Sequence, residues 1–89
     1  MLCVTLKIFG DVQGVFFRQT TKEYADRLGI SGIVQNEEDG SVSVAAEGEK
    51  EALEKLIVAA KNGFGYTKVD TIKTEWGNAA GQYRGFAAL

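Results

Sequence analysis

No histidine occurs among the 89 residues. That one absence excludes histidine metal sites, histidine general bases, and Ser-His or Cys-His nucleophile pairs. Proline is also absent, so the loops must be marked by glycine and polar residues alone. A single cysteine, Cys3, leaves no internal disulfide to form. No run approaches the ~20 apolar residues that span a bilayer. The opening Met1-Leu2-Cys3-Val4-Thr5 lacks the basic-then-apolar order of a signal peptide, so a cytoplasmic location is expected, with no membrane partner. Basic residues are few as well: 10 against 12 acidic ones, a net charge of −2 and a pI near 5.0. This balance argues against nucleic-acid binding, which calls for a basic face. It leaves open a small anion, held by local charge and oriented amides.

What is present suits one domain, residues 1–89, of ordinary globular composition. Leu2, Val4, Leu6 and Ile8 alternate with Cys3, Thr5 and Lys7, the period of a half-buried strand. A loop bracketed by Gly10 and Gly14 follows. Phe17, Thr21, Ala25 and Leu28 recur at helical spacing, with Gly29 as the stop. Residues 32–36 read as a second strand, Asp39-Gly40 as a hairpin turn, and Val42, Val44 and Ala46 as a third strand ending at Gly48. Ala52, Leu53, Leu56, Ile57 and Ala60 form one stripe of a second helix, from near Glu49 to Asn62-Gly63, with acids in its first turn. Val69–Trp76 is a fourth strand whose parity fails, since Val69 and Ile72 would face opposite sides; this predicts a bulge. Residues 77–81 read as a loop, and residues 83–88 supply a short edge strand. The order βαββαβ is the α+β, ferredoxin-like plan, an antiparallel sheet with two helices on one face.

The connector Gly10-Asp11-Val12-Gln13-Gly14-Val15-Phe16-Phe17-Arg18 joins a strand to a helix N-terminus, where amides are unpaired and the dipole favours an anion. Glycines let successive amides converge, and an arginine in the first turn can grip phosphate through two parallel hydrogen bonds. This reads as a cradle for one phosphate-sized anion. From glycines and an arginine alone, an ordinary connector with a surface arginine is the commoner reading. It is not a P-loop, because the Gly-Lys-Ser/Thr ending is missing.

Gly10-x-Val12-Gln13-Gly14-Val15-x-Phe17-Arg18 resembles the signature of the acylphosphatase family. Gly32-Ile33-Val34-Gln35-Asn36, followed by Asp39-Gly40-Ser41-Val42 and Gly48, resembles its second signature. Leu28-Gly29-Ile30 and Lys61-Asn62-Gly63 resemble its spacers. The likeness runs from about Lys7 to Trp76. It implies a ferredoxin-like fold and hydrolysis of an acyl phosphate to a carboxylate and inorganic phosphate, with no metal or organic cofactor. It assigns phosphate binding to Gln13, Gly14, Val15, Phe16, Phe17 and Arg18, and catalysis to Arg18 and Asn36. The sequence departs from the family's habit in three places. Ile33 stands where an aromatic is common, Phe64 follows Asn62-Gly63 where proline is common, and the ending Phe86-Ala87-Ala88-Leu89 is less polar and less aromatic than is usual for the family.

The residue types fit that chemistry. An acyl phosphate already carries a good leaving group, so positioning and electrostatics can supply most of the help. Asn36 has both a donor and an acceptor with which to hold a water. It is no general base at neutral pH, which leaves the phosphate itself to take the proton. Other candidates read as structural. Cys3 has no histidine partner and is expected to be buried; Glu37, Glu38 and Asp39 suit a solvated turn better than a metal site; Tyr66, Trp76 and Tyr83 suit packing better than base stacking. Two rivals stand beside the enzyme, namely a binding module of the same fold without useful turnover and a ferredoxin-like nucleic-acid binder. A monomer is the default state.

Overall fold

In the computed structural model the chain is described over residues 1–64 and 67–89, and at Val15 for the backbone only. The elements run β1 (Leu2–Asp11), α1 (Val15–Leu28), β2 (Ser31–Asn36), β3 (Val42–Gly48), α2 (Lys50–Lys61), β4 (Lys68–Asn78) and β5 (Phe86–Ala88). They build one sheet in the order β4-β1-β3-β2-β5.

Alternation in the strands decides which face is covered. Val4, Leu6 and Ile8 of β1, Val34 of β2, and Val42, Val44 and Ala46 of β3 are buried together with Phe17 and Ala25 of α1 and Leu53, Leu56 and Ala60 of α2. Each fully buried Val, Leu, Ile or Phe contributes roughly 1.5–3 kcal/mol of transfer free energy, so this single layer between sheet and helices carries the fold. Helix α1 ends at Gly29 in the left-handed conformation (φ 71°), with the Gly29 amide bonded back to Ala25 and Asp26. Phe64, which departs from the family's proline, is buried against the ring of Phe17 (5.0 Å between centroids) and stacks on Tyr24 (5.3 Å). Ile33, the other departure, is half-buried on the open face of the sheet between Ala45 and Ala87. Cys3 shares that face by strand alternation, so it is half-buried and outside the expected core.

The bulge expected from the broken parity of β4 is present. Phe9 pairs with Thr71 but Gly10 pairs with Val69, so Asp70 is an extra residue. The step returns both Val69 and Ile72 to the core side. Gly10 permits it. Its φ is 141°, and a Cβ there would collide with the carbonyl oxygen of Lys68 and lie 2.9 Å from the Asp70 amide nitrogen. Gly10→Ala should therefore cost at least about 2 kcal/mol in urea unfolding, from positive-φ strain and backbone overlap combined. A loss below about 0.5 kcal/mol would show that the bulge yields at no cost.

The structure differs from expectation at the chain's end. Strand β4 continues through Gly77 and Asn78, which pair with Cys3 and Leu2, where a loop was expected. Strand β5 is shorter than residues 83–88 and lies parallel to β2 in an otherwise antiparallel sheet. The cause is topological. Strands β4 and β5 occupy opposite edges, so residues 79–85 cross one end of the sheet and the chain turns back along β2. Buried Glu47 holds this crossing, accepting hydrogen bonds from the amides of Ala80 and Gly81, both at 3.0 Å. The crossing delivers Leu89 to the far end, where its amide donates to Val34 O at 2.9 Å.

Candidate active site

That far end gathers the start of α1, the β2–β3 hairpin and Leu89. Helix α1 opens at Gly14 (φ 132°, ψ 162°) with no side-chain cap and no acid in its first turn. Helix α2 likewise has no side-chain cap hydrogen bond, but it carries Glu49 at its N-cap position and Glu51 in its first turn. An uncapped N-terminus leaves its first amides and the positive dipole end unsatisfied. Placing Arg18 in that same turn is electrostatically unfavourable for the helix alone, because a cation there opposes the dipole. An anion between them would offset both.

Arg18 is half-buried. One terminal guanidinium nitrogen donates to the carbonyl oxygen of Leu89. Its Nε is buried and has no hydrogen-bond partner among the described residues. Such a donor carries a penalty of about 1–3 kcal/mol until a ligand or water meets it.

The connector is braced by a contact that sequence spacing did not reveal. Gln13 Nε2 donates to the carbonyl oxygens of Glu37 (2.7 Å) and Ser41 (3.1 Å). Ser41 O also accepts from the Glu37 amide at 2.8 Å, closing the hairpin. The Gln13 side chain is thus a strut between the cradle and the segment next to Asn36, while its backbone belongs to the loop. Asn36 ends β2 opposite Val42, which in turn pairs with Ile8; all three fall on the helix side of the sheet. Asn36 is exposed there, as are Gly14 and Phe16 in the loop, whereas Phe17 points into the core at 0% exposure. The candidate residues therefore share one end of the molecule, with Phe17 able to contribute its amide but not its ring.

Two of the three adjacent acids are accounted for locally. Glu37 Oε1 accepts from Ser43 Oγ (2.6 Å) and Gln35 Nε2 (3.3 Å). Asp39 accepts from the Ser41 hydroxyl (2.6 Å) and amide (2.9 Å) and pairs with Lys7 at 2.9 Å. The Ser41 hydroxyl first, then Lys7, holds the Asp39 carboxyl well below the usual carboxylate range. Asp39 therefore keeps its charge through the acid range where ordinary carboxylates protonate. A 350 Å³ groove lined by Lys7, Glu37, Glu38 and Asp39 lies beside the hairpin, but its three carboxylates disfavour an anion. Among the described residues no group of three or more Cys, Asp or Glu is placed to hold a metal ion. Trp76 sits on the helix side of β4, away from the open sheet face; Tyr83 is half-buried in the crossing; Tyr66 lies outside the described residues.

A five-stranded, mostly antiparallel sheet with two helices packed on one face defines the class of small two-layer α+β domains. Comparison with known proteins narrows it. The family model for acylphosphatase matches residues 4–88. The chain is similar to the acylphosphatase of Salinibacter ruber, with 46% identity over 93% of this chain and 87% of the relative. It is 42% identical to that of Caldanaerobacter subterraneus, over 93% of this chain and 92% of the relative. The crystal structure of acylphosphatase from Bacillus subtilis superposes with a TM-score of 0.94 at 34% identity, covering 100% of this chain and 99% of that one. The chain belongs to the acylphosphatase family of enzymes, with its ferredoxin-like fold.

Proposed function

We propose that the protein hydrolyses carboxyl-phosphate anhydrides, with Arg18 and the amides from Gln13 to Arg18 holding the phosphoryl group and Asn36 positioning the water. Water attacks phosphorus, the bond from phosphorus to the acyl oxygen breaks, and its electron pair leaves on the carboxylate. The water's proton passes to a phosphoryl oxygen, since the chain has no histidine and Asn36 is uncharged. The observation that carries this reading is the buried Nε of Arg18, which has no hydrogen-bond partner among the described residues, beside a helix start with no side-chain cap and no acid in its first turn. The anion supplies what both lack. Gln13 keeps the cradle and the hairpin in register, so the phosphate and the water are held by one braced unit. No metal or organic cofactor takes part. The test is release of phosphate from benzoyl phosphate by the purified protein in excess chelator. Turnover that vanishes on chelation and returns with one divalent ion would overturn the mechanism.

A site built around one phosphate also binds the product. Inorganic phosphate should compete with benzoyl phosphate and raise the melting temperature by mass action, by about 2.7 kcal/mol of stability at a hundred times its Kd. If substrate turns over while phosphate neither inhibits nor stabilises, the cradle is not at residues 13–18.

A further inference from the structure

Among the described residues the β4 edge has no partner in the sheet, and the residues of β4 are all exposed or half-exposed. Its first part is protected by the bulge at Asp70, but from Thr71 to Asn78 the register is regular. A long regular edge presents a row of free backbone donors and acceptors to any other strand.

Which groups are free follows from the pairing with β1. The Ala79 amide donates to Met1 O at 3.3 Å, which makes positions 1 and 79 a hydrogen-bonded pair. Antiparallel pairs alternate, so Lys73, Glu75 and Gly77 bond to β1, and Ile72, Thr74 and Trp76 direct their N–H and C=O groups outward.

From this the geometry points to a second copy of the chain as the occupant of the edge, joined β4 to β4 across a two-fold axis at Thr74. In that register Thr74 meets its own copy as a hydrogen-bonded pair, using the free groups. On the open face Lys73 of one copy lies opposite Glu75 of the other, twice over. On the helix face Ile72 lies opposite Trp76, again twice. Shifting the axis to Lys73 sets lysine against lysine, so charge selects the Thr74 register. Lysine on an edge usually discourages pairing; here an acid two residues away makes the edge complementary to itself. The apolar side agrees. Trp76 is 46% exposed and Val58 of α2 is 57% exposed, and they line a 350 Å³ groove along this edge with Ile57 and Thr74, rimmed by Glu54 and Lys61. The second copy closes that groove. The monomer expected from sequence is then one state of a concentration-dependent equilibrium. The inference does not depend on the catalytic reading.

Trp76 is the only tryptophan, so its emission reports the interface directly. One strand pair and one groove make a weak interface, so the full chain should be examined by sedimentation and by emission from about 10 µM to about 1 mM. A dimer is expected, with Trp76 emission moving to shorter wavelength in step with it. Lys73→Glu alone and Glu75→Lys alone should each weaken association at least ~10-fold, because both symmetry-related pairs become like-charged. The double variant K73E/E75K should restore association to within ~3-fold of the parent, as the swap recreates both pairs. Circular dichroism and melting temperature check that each variant is folded. A parent that stays monomeric to 1 mM overturns the proposal. So does a dimer that ignores the single substitutions, or a folded double variant that does not recover.

Discussion

Asn36→Ala should lower kcat for benzoyl phosphate by roughly 10²-fold or more, with a comparatively small change in KM. The expectation rests on where Asn36 sits. It is exposed at the end of β2, on the same side of the sheet as the start of α1, and the hairpin beside it is fixed by Gln13 and not by the Asn36 side chain. Its backbone pairing with Val42 does not need the amide, so alanine should leave the hairpin in place and the melting temperature nearly unchanged. The amide is assigned to the attacking water. Removing it affects the transition state and spares the bound phosphoryl group. A raised KM with intact kcat would move Asn36 into ground-state binding. A melting temperature several degrees lower would show that it holds the turn after all, and the rate would then be compared well below that temperature.

The strands and helices were legible because their signals are local. Val4, Leu6 and Ile8 show their face within seven residues, and Val69 and Ile72 announce the bulge by breaking that same rule. The start of α1 was also legible, as a glycine-bracketed connector leading into a helix with an arginine in its first turn. What the sequence concealed lies between distant residues. Gln13 reaches hairpin carbonyls 24 and 28 residues away, and Glu47 fastens amides 33 and 34 residues on. The contact from Arg18 to Leu89 spans 71 residues. No periodicity encodes such pairs. The parallel seating of β5 was hidden for a related reason. Three residues are too few to show a face, and their direction depends on where residues 79–85 cross the sheet.

Arg18→Lys should lower kcat/KM by roughly 10²-fold or more, about 3 kcal/mol of transition-state stabilisation, although the charge is kept. Lysine is a point charge on a flexible stem; it loses the planar fork and the parallel hydrogen bonds that set the phosphoryl group in line for attack. It also removes the buried Nε that lacks a partner among the described residues. The structure supplies a rival account that must be separated, since Arg18 also donates to the Leu89 carbonyl and so helps seat the end of β5. If that tie were its whole role, Arg18→Lys and Arg18→Ala would melt earlier yet keep near-normal rates below their transitions. Phosphate would then stabilise them as it stabilises the parent. If Arg18 orients the anion, both variants lose turnover, Arg18→Ala the more, and phosphate no longer raises the melting temperature of Arg18→Ala at concentrations that stabilise the parent. The second pattern is expected, because a cation placed at the positive end of a helix, with one buried donor unpaired among the described residues, costs the fold stability that the bond to Leu89 only partly offsets. Rates and phosphate-dependent melting, measured on the same three proteins, decide between the two.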